Sequence, residues 1–185
     1  MIKSIKYEFE GFKFYLRNMA ASRRLGTMRT SKYEEFLLSG LTKDLIPQMD
    51  GLHRLLRDGR SINFWRKSIL RRKGPAVCCA AIDGENVLIG FDYYYFREEE
   101  VSLDIIHEAF IGISPDQQSK GIATALRNHM VSHFAEQGLR GISTQIDHDN
   151  VPSIKSALKA GFQVCESGDV DDHIKLFYDF SEVSG

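Results

Sequence analysis

The chain has 185 residues, 43% hydrophobic and 26% charged, which suits one domain with a core of its own and excludes disorder for the bulk of it. A formal net charge of -1 supplies no global basic field of the kind that holds nucleic acid. No run approaches the roughly 18 uninterrupted apolar residues of a membrane span, and the charges at Lys3, Lys6 and Glu8 stand where a signal peptide needs apolar residues. A cytoplasmic location is therefore expected, with Cys78, Cys79 and Cys165 reduced. The adjacent pair would point to opposite faces of a strand and cannot bridge itself.

Residues 2–9 alternate apolar and charged side chains, Ile5, Tyr7 and Phe9 against Lys6, Glu8 and Glu10, and this period of two predicts a first, half-buried strand. Between residues 12 and 73 apolar residues recur at helical spacing, as at Leu41, Leu45, Met49 and Leu52 and again at Phe64, Trp65, Ile69 and Leu70. Two to four helices are expected there. The same region holds a local excess of charge. Residues 54–73 carry eight Lys or Arg against Asp58 alone, whereas the chain turns acidic from Glu166 onward.

From Pro75 the pattern becomes that of strands. Residues 75–83, the turn residues 83–86 and residues 87–96 read as a hairpin rich in β-branched and aromatic side chains, and residues 102–114 as a further strand closed by Pro115. Residues 121–137, with Ile122, Leu126, Met130 and Phe134 four apart, predict an amphipathic helix that Gly138 can end. A strand over residues 141–146 follows, then a helix capped by Asn150 with Pro152 in its first turn and Gly161 at its end. Strands around residues 162–165 and 174–180 finish an α/β order with a central, mixed, mostly antiparallel sheet flanked by helices.

The segment richest in chemistry runs from Phe110 through Pro115 to Leu126, a strand that leads through a glycine-containing loop into a helix. Unpaired amides at such a helix start converge on one spot and, with the helix dipole, form an anion site; Gly121 and Ala123 would let a diphosphate approach the main chain closely. The bland alternative is a tight turn and nothing more. Asp147, His148 and Asp149 suggest a metal, but adjacent loop residues rarely converge on one ion, so a polar loop and no metal are expected. Tyr93 to Phe96 read either as an acceptor-binding wall or as aromatics packing alternate faces of a strand.

Gln118, Gly121 and Ala123, in that spacing and after a strand ending at Pro115, resemble the coenzyme A loop of the GNAT acyltransferases. Asn150, Pro152 and Ser153, the Gly161-Phe162 pair and residues 87–91 stand at matching distances, so the resemblance covers about residues 75–180. It implies a single GNAT-type domain in which residues 1–74 shape the acceptor side and residues 75–180 bind acyl-CoA. It also implies that acetyl-CoA is the acyl donor and an amine the acceptor, with no nucleic acid or membrane partner and a homodimer left open. The backbone of Ile111 and Ile113 would face the pantetheine arm, with the Ile113 amide donating to the thioester carbonyl. Amides of Gln118, Ser119, Lys120, Gly121, Ile122, Ala123 and Thr124 would hold the diphosphate, and Asn150 would touch the far side of the cofactor.

Amine attack on a thioester needs a proton acceptor and stabilisation of the oxyanion. His107 and Glu108, late in the strand, are the candidate bases, and His107 falls where several family members place one. Successive strand residues face opposite ways, so one of the two faces the cleft, and a bulge common in this strand leaves the choice open. The tyrosine that many members place seven residues after the motif asparagine is absent, since Ala157 stands there; Tyr178 is the nearest substitute in kind. Two rival readings remain: an acyl-CoA-binding module without turnover, and a transferase that takes its acyl group from a carrier protein docked on the basic helices.

Overall fold

The computed structural model describes residues 2–165 and 173–181, with side chains from residue 7 onward. It does not begin with a strand. Residues 2–9 belong to a long helix, α1 (Ile2–Ala21). The alternation of Tyr7 and Phe9 does not match burial, because both side chains are largely exposed. What buries is the stripe Gly11, Phe14, Tyr15 and Asn18, an i, i+3, i+4, i+7 pattern that only a helix turns to one side.

After α1, strands β1 (Ser31–Lys32) and β2 (Phe36–Gly40) precede helices α2 (Ile46–Leu56) and α3 (Phe64–Val77). The helices were expected and the two strands were not. The apolar run around Leu37 and Leu38 is too short for periodicity to separate strand from helix, and pairing with a neighbour decides it. Asn63 caps α3 by accepting from the Arg66 amide at 2.9 Å. The expected strand start at Pro75 also moves, because α3 runs through Pro75 to Val77. Pro75 sits in the last turn, where its missing N–H removes one helical bond. Its carbonyl accepts from the Met28 amide at 2.9 Å.

The second half follows the expected order: β3 (Cys78–Asp83), β4 (Leu88–Tyr95), β5 (Ile105–Ile113), α4 (Ile122–Glu136), β6 (Gly141–Asp147), α5 (Val151–Lys159), β7 (Gln163–Val164) and β8 (His173–Asp179). Most of the acidic run that begins at Glu166 lies outside the described residues. Asp83 shapes the β3–β4 turn by accepting from the amides of Glu85 and Val87, each at 2.9 Å. Gly138 (φ +69°) ends α4.

The eight strands among the described residues form one sheet in the order β1-β2-β3-β4-β5-β6-β8-β7. Every pairing is antiparallel except β5 with β6, so the sheet is mixed and mostly antiparallel, as expected. Helix α4 packs against β3 to β6 and touches α5, whereas α2 and α3 pack against β2 to β5. The two groups cover opposite faces: Glu108 reaches Arg127 of α4, whereas His107 points oppositely and packs on Tyr95 beneath Arg66 of α3, and Phe110 meets His53 of α2. Cys78 and Cys79 are buried free thiols and Cys165 is exposed. No helix among the described residues is long and apolar enough to cross a membrane.

Candidate active site at the fork of two parallel strands

The parallel pairing of β5 with β6 covers Ile105 to Glu108 opposite Gly141 to Thr144 and stops there. β5 continues to pair with β4 as far as Ile113, opposite Gly90, and β6 continues with β8 as far as Asp147. The two strands therefore part after Glu108 and Thr144, which leaves a gap in the middle of the sheet. The β4–β5 register jumps from Tyr93–Phe110 to Tyr94–Glu108, so Ala109 is a bulge at the point of divergence.

The Ser114 amide donates to the Ile89 carbonyl on β4 at 2.8 Å. Alternation along the strand then turns the Gly112 amide to β4 as well and sends the amides of Ile111 and Ile113 to the other edge, the side of the gap. Beyond Ile113 a short turn at Pro115–Gln117 leads to Ser119 (φ +65°) and Gly121 (φ +79°), which bend the chain on either side of Lys120. Helix α4 starts immediately afterwards, with no side chain capping it. The amides of Ile122, Ala123 and Thr124 thus open its first turn with no capping side chain, and the positive end of the helix dipole lies beside them. A Cβ at Gly121 would meet nothing within 4 Å, so glycine is needed there for its φ rather than for space. Gln118, Ser119 and Lys120 are exposed, and Lys120 Nζ donates to Gln117 Oε1 at 2.9 Å.

Asn150, at the start of α5, uses its side-chain oxygen to accept from the Ser153 amide at 3.2 Å. Its NH2 group remains as a donor. In the same loop Asp147 pairs with His173 of β8 at 2.9 Å, and no group of three His, Cys, Asp or Glu able to hold a metal occurs among the described residues.

His107 and Glu108 lie at the last paired rungs before the fork, on opposite faces. Glu108 accepts from Arg127 Nε at 2.7 Å, from Arg127 Nη2 at 3.0 Å and from the Thr144 hydroxyl at 2.7 Å. Arg127 is fully buried in α4 and also donates to the Ser153 carbonyl, Ser153 Oγ and Ser156 Oγ of α5. Burial alone would favour loss of the Arg127 proton, but the charge and hydrogen bonds of Glu108 hold its pKa above the ordinary value. Next to the pair, burial and then the Glu108 charge push Asp92 well up, which favours its neutral acid. Its Oδ2 lies 2.6 Å from the Tyr94 hydroxyl, whereas Oδ1 is buried without a hydrogen-bond partner. Both Glu108 oxygens are thus engaged on the α4 face.

His107 faces the other way. Arg97 Nη2 donates to its Nε2 at 2.8 Å and also to Gln145 Oε1 at 2.8 Å. An accepting Nε2 leaves the proton on Nδ1, which donates to Ser143 Oγ at 2.8 Å. Ser143 and Arg97 lie near enough to Glu100 to favour its charged form, against the upward push of burial on its pKa. Burial, then Arg97 and Arg66, pull the His107 pKa down to about 3, so the imidazole is neutral at physiological pH. Gln145 is the first β6 residue past the last paired rung, so Arg97 closes the vertex of the fork on this face.

Of the aromatic run, Tyr94 packs edge-on against Phe134 of α4, whereas Tyr95 meets His107 at 5.3 Å and lies under the Arg66 guanidinium at 5.5 Å. The basic segment divides. Arg54 and Lys67 pair with Asp50 at 3.2 and 2.8 Å, and Arg72 covers Tyr15. Arg57 and Arg66 instead lean over Phe110 and Tyr95 on the sheet. Ala157 is fully buried. Tyr178 pairs with Ile142 at the far end of β6 and packs on Phe162 and Phe180, away from the gap. A cavity of about 240 Å3, lined in part by Arg29, Tyr33 and His129, lies against α4 and includes none of the residues of this site.

The sequence reading missed Arg97, Ser143 and Arg127. Only Arg127 leaves a trace in the pattern, as a charge on the apolar stripe of α4 between Leu126 and Met130, which demands a buried partner.

Mycothiol acetyltransferase of Actinosynnema mirum is 28% identical over 82 residues, 44% of this chain and 26% of that protein; the Paenarthrobacter aurescens protein of the same name is 28% identical over 83 residues, again 44% and 26%. This chain thus matches only about a quarter of the length of these curated relatives. Among solved structures, a phosphinothricin acetyltransferase of Sinorhizobium meliloti in complex with acetyl-CoA superposes with a TM-score of 0.65 at 19% identity, covering 78% of this chain and 88% of that one. A ribosomal-protein-S5-alanine acetyltransferase of Vibrio fischeri gives 0.64 at 15%, covering 83% and 98%; both share the fold. Residues 41–162, which hold β3 to β6 and the whole fork, match the acetyltransferase (GNAT) family, and the chain belongs to that family.

Proposed function

We propose that the chain transfers an acetyl or related acyl group from coenzyme A to an amine, with the pantetheine arm in the β5–β6 gap and the diphosphate at the start of α4. The observation that carries this reading is the juxtaposition of a strand edge freed after Glu108 with an uncapped helix start a few residues on. An extended, amide-bearing arm pairs with the first, and an anion with the second. In this reading Ile111 bonds the arm, Ile113 donates to the thioester carbonyl and the amides of residues 118–124 hold the diphosphate. The NH2 group of Asn150 donates to the far side of the cofactor. Residues 1–74 shape the acceptor side through Arg57 and Arg66.

The neutral amine attacks the acyl carbon, and the Ile113 amide stabilises the oxyanion as it forms. His107 is the better proton acceptor of the two candidates, since the Glu108 oxygens are committed to Arg127 and Thr144. No tyrosine acid is required: a thiolate with a pKa near 8–9 takes its proton from water. The Arg97 bond to His107 Nε2 and the buried Ala157 favour a second reading, binding without turnover.

Calorimetry with acetyl-CoA and free-thiol release across a panel of amines test both. Gly121→Glu puts negative charge at the helix start and is expected to weaken acetyl-CoA binding by roughly 100-fold. Unchanged affinity in the folded variant removes the assignment of the loop. Tight binding with no thiol release for any amine selects the second reading.

A further inference from the structure

The face that holds His107 carries three guanidinium groups with no carboxylate at ion-pair distance among the described residues: Arg57, Arg66 and Arg97. Arg57 and Arg66 are held over the rings of Phe110 and Tyr95 at 5.7 and 5.5 Å, and Arg97 bonds only neutral groups, His107 Nε2 and Gln145 Oε1. Glu100, an acid whose charge Arg97 and Ser143 both favour, makes no ion pair with Arg97, has one buried oxygen without a partner, and is pushed up by burial. Positive charge therefore accumulates at the vertex of the fork with little to balance it, which is an arrangement that recruits an oxyanion. An Arg97 bound to Nε2 also blocks the lone pair that a base would use.

Building on the transferase reading, we infer that the acceptor is an amine bearing a carboxylate or phosphate close to its nitrogen, and that this anion draws Arg97 off His107 Nε2 and so exposes the base. Arg66, half-buried above Tyr95, is the second contact for the anion. Once Arg97 has moved, the amine nitrogen forms its bond to the acyl carbon and the carbon–sulfur bond breaks with its electron pair on sulfur. The surplus proton on nitrogen passes to Nε2 and reaches the thiolate through water. The transient imidazolium keeps its Nδ1–H bond to Ser143. Arg97 is in this sense a positioning residue that makes proton removal conditional on the acceptor. The groups that face His107 are Arg97 from the loop after β4, Tyr95 of β4, Arg66 of α3, and Ser143 and Gln145 of β6, with Glu100 near Ser143 and Arg97; of these, the anion neutralises Arg97 and Arg66.

The experiment compares thiol release from acetyl-CoA with matched acceptors, glycine against glycinamide and phosphoethanolamine against ethanolamine, at equal free-amine concentration. The wild-type protein is expected to prefer the anionic member of at least one pair by about tenfold or more in kcat/KM; the pair that responds says whether carboxylate or phosphate is read. In Arg97→Gln the anionic acceptor loses that advantage while the neutral one gains kcat, because Nε2 is freed without a ligand. Arg66→Gln raises KM for the anionic acceptor alone. Imidazole NMR gives a readout independent of turnover: the His107 pKa rises when glycine or phosphoethanolamine saturates the wild type, and stands higher in Arg97→Gln without any acceptor. Turnover without preference in either pair, or an Arg97→Gln loss that is equal for anionic and neutral acceptors, overturns the inference and leaves the transferase reading intact. Absence of thiol release with every amine, with acetyl-CoA bound, overturns the transferase reading and this inference with it.

Discussion

The two faces of β5 handle charge in opposite ways one residue apart. On the α4 face Glu108 meets one cation and one hydroxyl, with every oxygen engaged and side-chain exposure of 3% for the acid and 0% for Arg127. On the other face His107 is surrounded by guanidinium groups that lack countercharge. The first arrangement is closed: Arg127 draws together β5, α4 and α5, and through Thr144 of β6 the shared Glu108 completes the frame of the gap. The second is unfinished, and a ligand of the right charge would complete it. Two titratable residues that look equivalent as neighbours in a strand thus meet different surroundings, a closed ion pair with Arg127 of α4 on one side and Arg97 from the loop after β4 on the other.

The comparison breaks most readily at its closed side. Removing one member of a buried ion pair leaves the other charge uncompensated, at a cost of about 3–5 kcal/mol. Glu108→Gln is therefore expected to lower the thermal midpoint on the order of 10 °C for a chain of this size, with a similar loss for Arg127→Met. Combining the two should recover part of it, since no lone charge then remains buried. Midpoints within a degree or two of wild type would mean that the pair does not frame the gap.

The next effect is one of pH. His107 has a folded pKa near 3, from burial and from Arg97 and Arg66, against about 6.5 in the unfolded chain. Between those values the unfolded state binds the proton and the folded state does not, so stability rises with pH over that window and is lost on acidification. His107 alone accounts for about 2–3 kcal/mol between pH 7 and pH 4. Buried His53 and His133 and half-buried His129, also shifted down, act in the same direction, so the measurement is the difference between wild type and His107→Asn. The variant should lose less stability over that range in denaturant titrations. Parallel losses would show that His107 is not held neutral by its surroundings.

Much of this arrangement was legible beforehand, and unevenly so. The order from β3 to β8 and the loop before α4 follow from strong alternation, from four-residue spacing in α4 and from glycine at a helix start, all local signals. The fork becomes visible only in the register, because nothing in residues 105–113 or 141–147 says that pairing stops after Glu108. At the start of the chain the alternation at Tyr7 and Phe9 pointed to a strand, whereas burial of Gly11, Phe14, Tyr15 and Asn18 decides for a helix. β2 was hidden because five residues carry too little periodicity. Arg97 could not be assigned at all: it follows the last β4 residue by two positions in a charged loop, and its meeting with His107 and Gln145 depends on tertiary contacts 10 and 48 residues away.

The smallest expected effect separates two neighbours in the basic segment. Lys67 is a framing residue: its Nζ lies 2.8 Å from Asp50 Oδ2 and 2.8 Å from Ser61 Oγ. Although burial works to raise the Asp50 pKa, the bonds from Lys67, the Ile62 amide and Ser61 hold it below the ordinary value. Asp50 thereby ties the middle of α2 to the segment that leads into α3. Lys67→Gln should cost about 1 kcal/mol and leave both substrate constants near wild type. Arg66, adjacent in sequence but turned towards Tyr95, makes no ion pair among the described residues. Arg66→Gln should change stability by no more than about 0.5 kcal/mol, yet raise the acceptor KM severalfold while the acetyl-CoA KM stays put. It removes one of the two cations that depress His107, so the His107 pKa should also move up. Measuring both variants for denaturant midpoint and for the two Michaelis constants gives a crossed pattern if the open face reads the acceptor. If Arg66→Gln behaves like Lys67→Gln in all three measurements, the guanidinium over Tyr95 is a solvated surface group and the contrast between the two faces narrows to Arg97 alone.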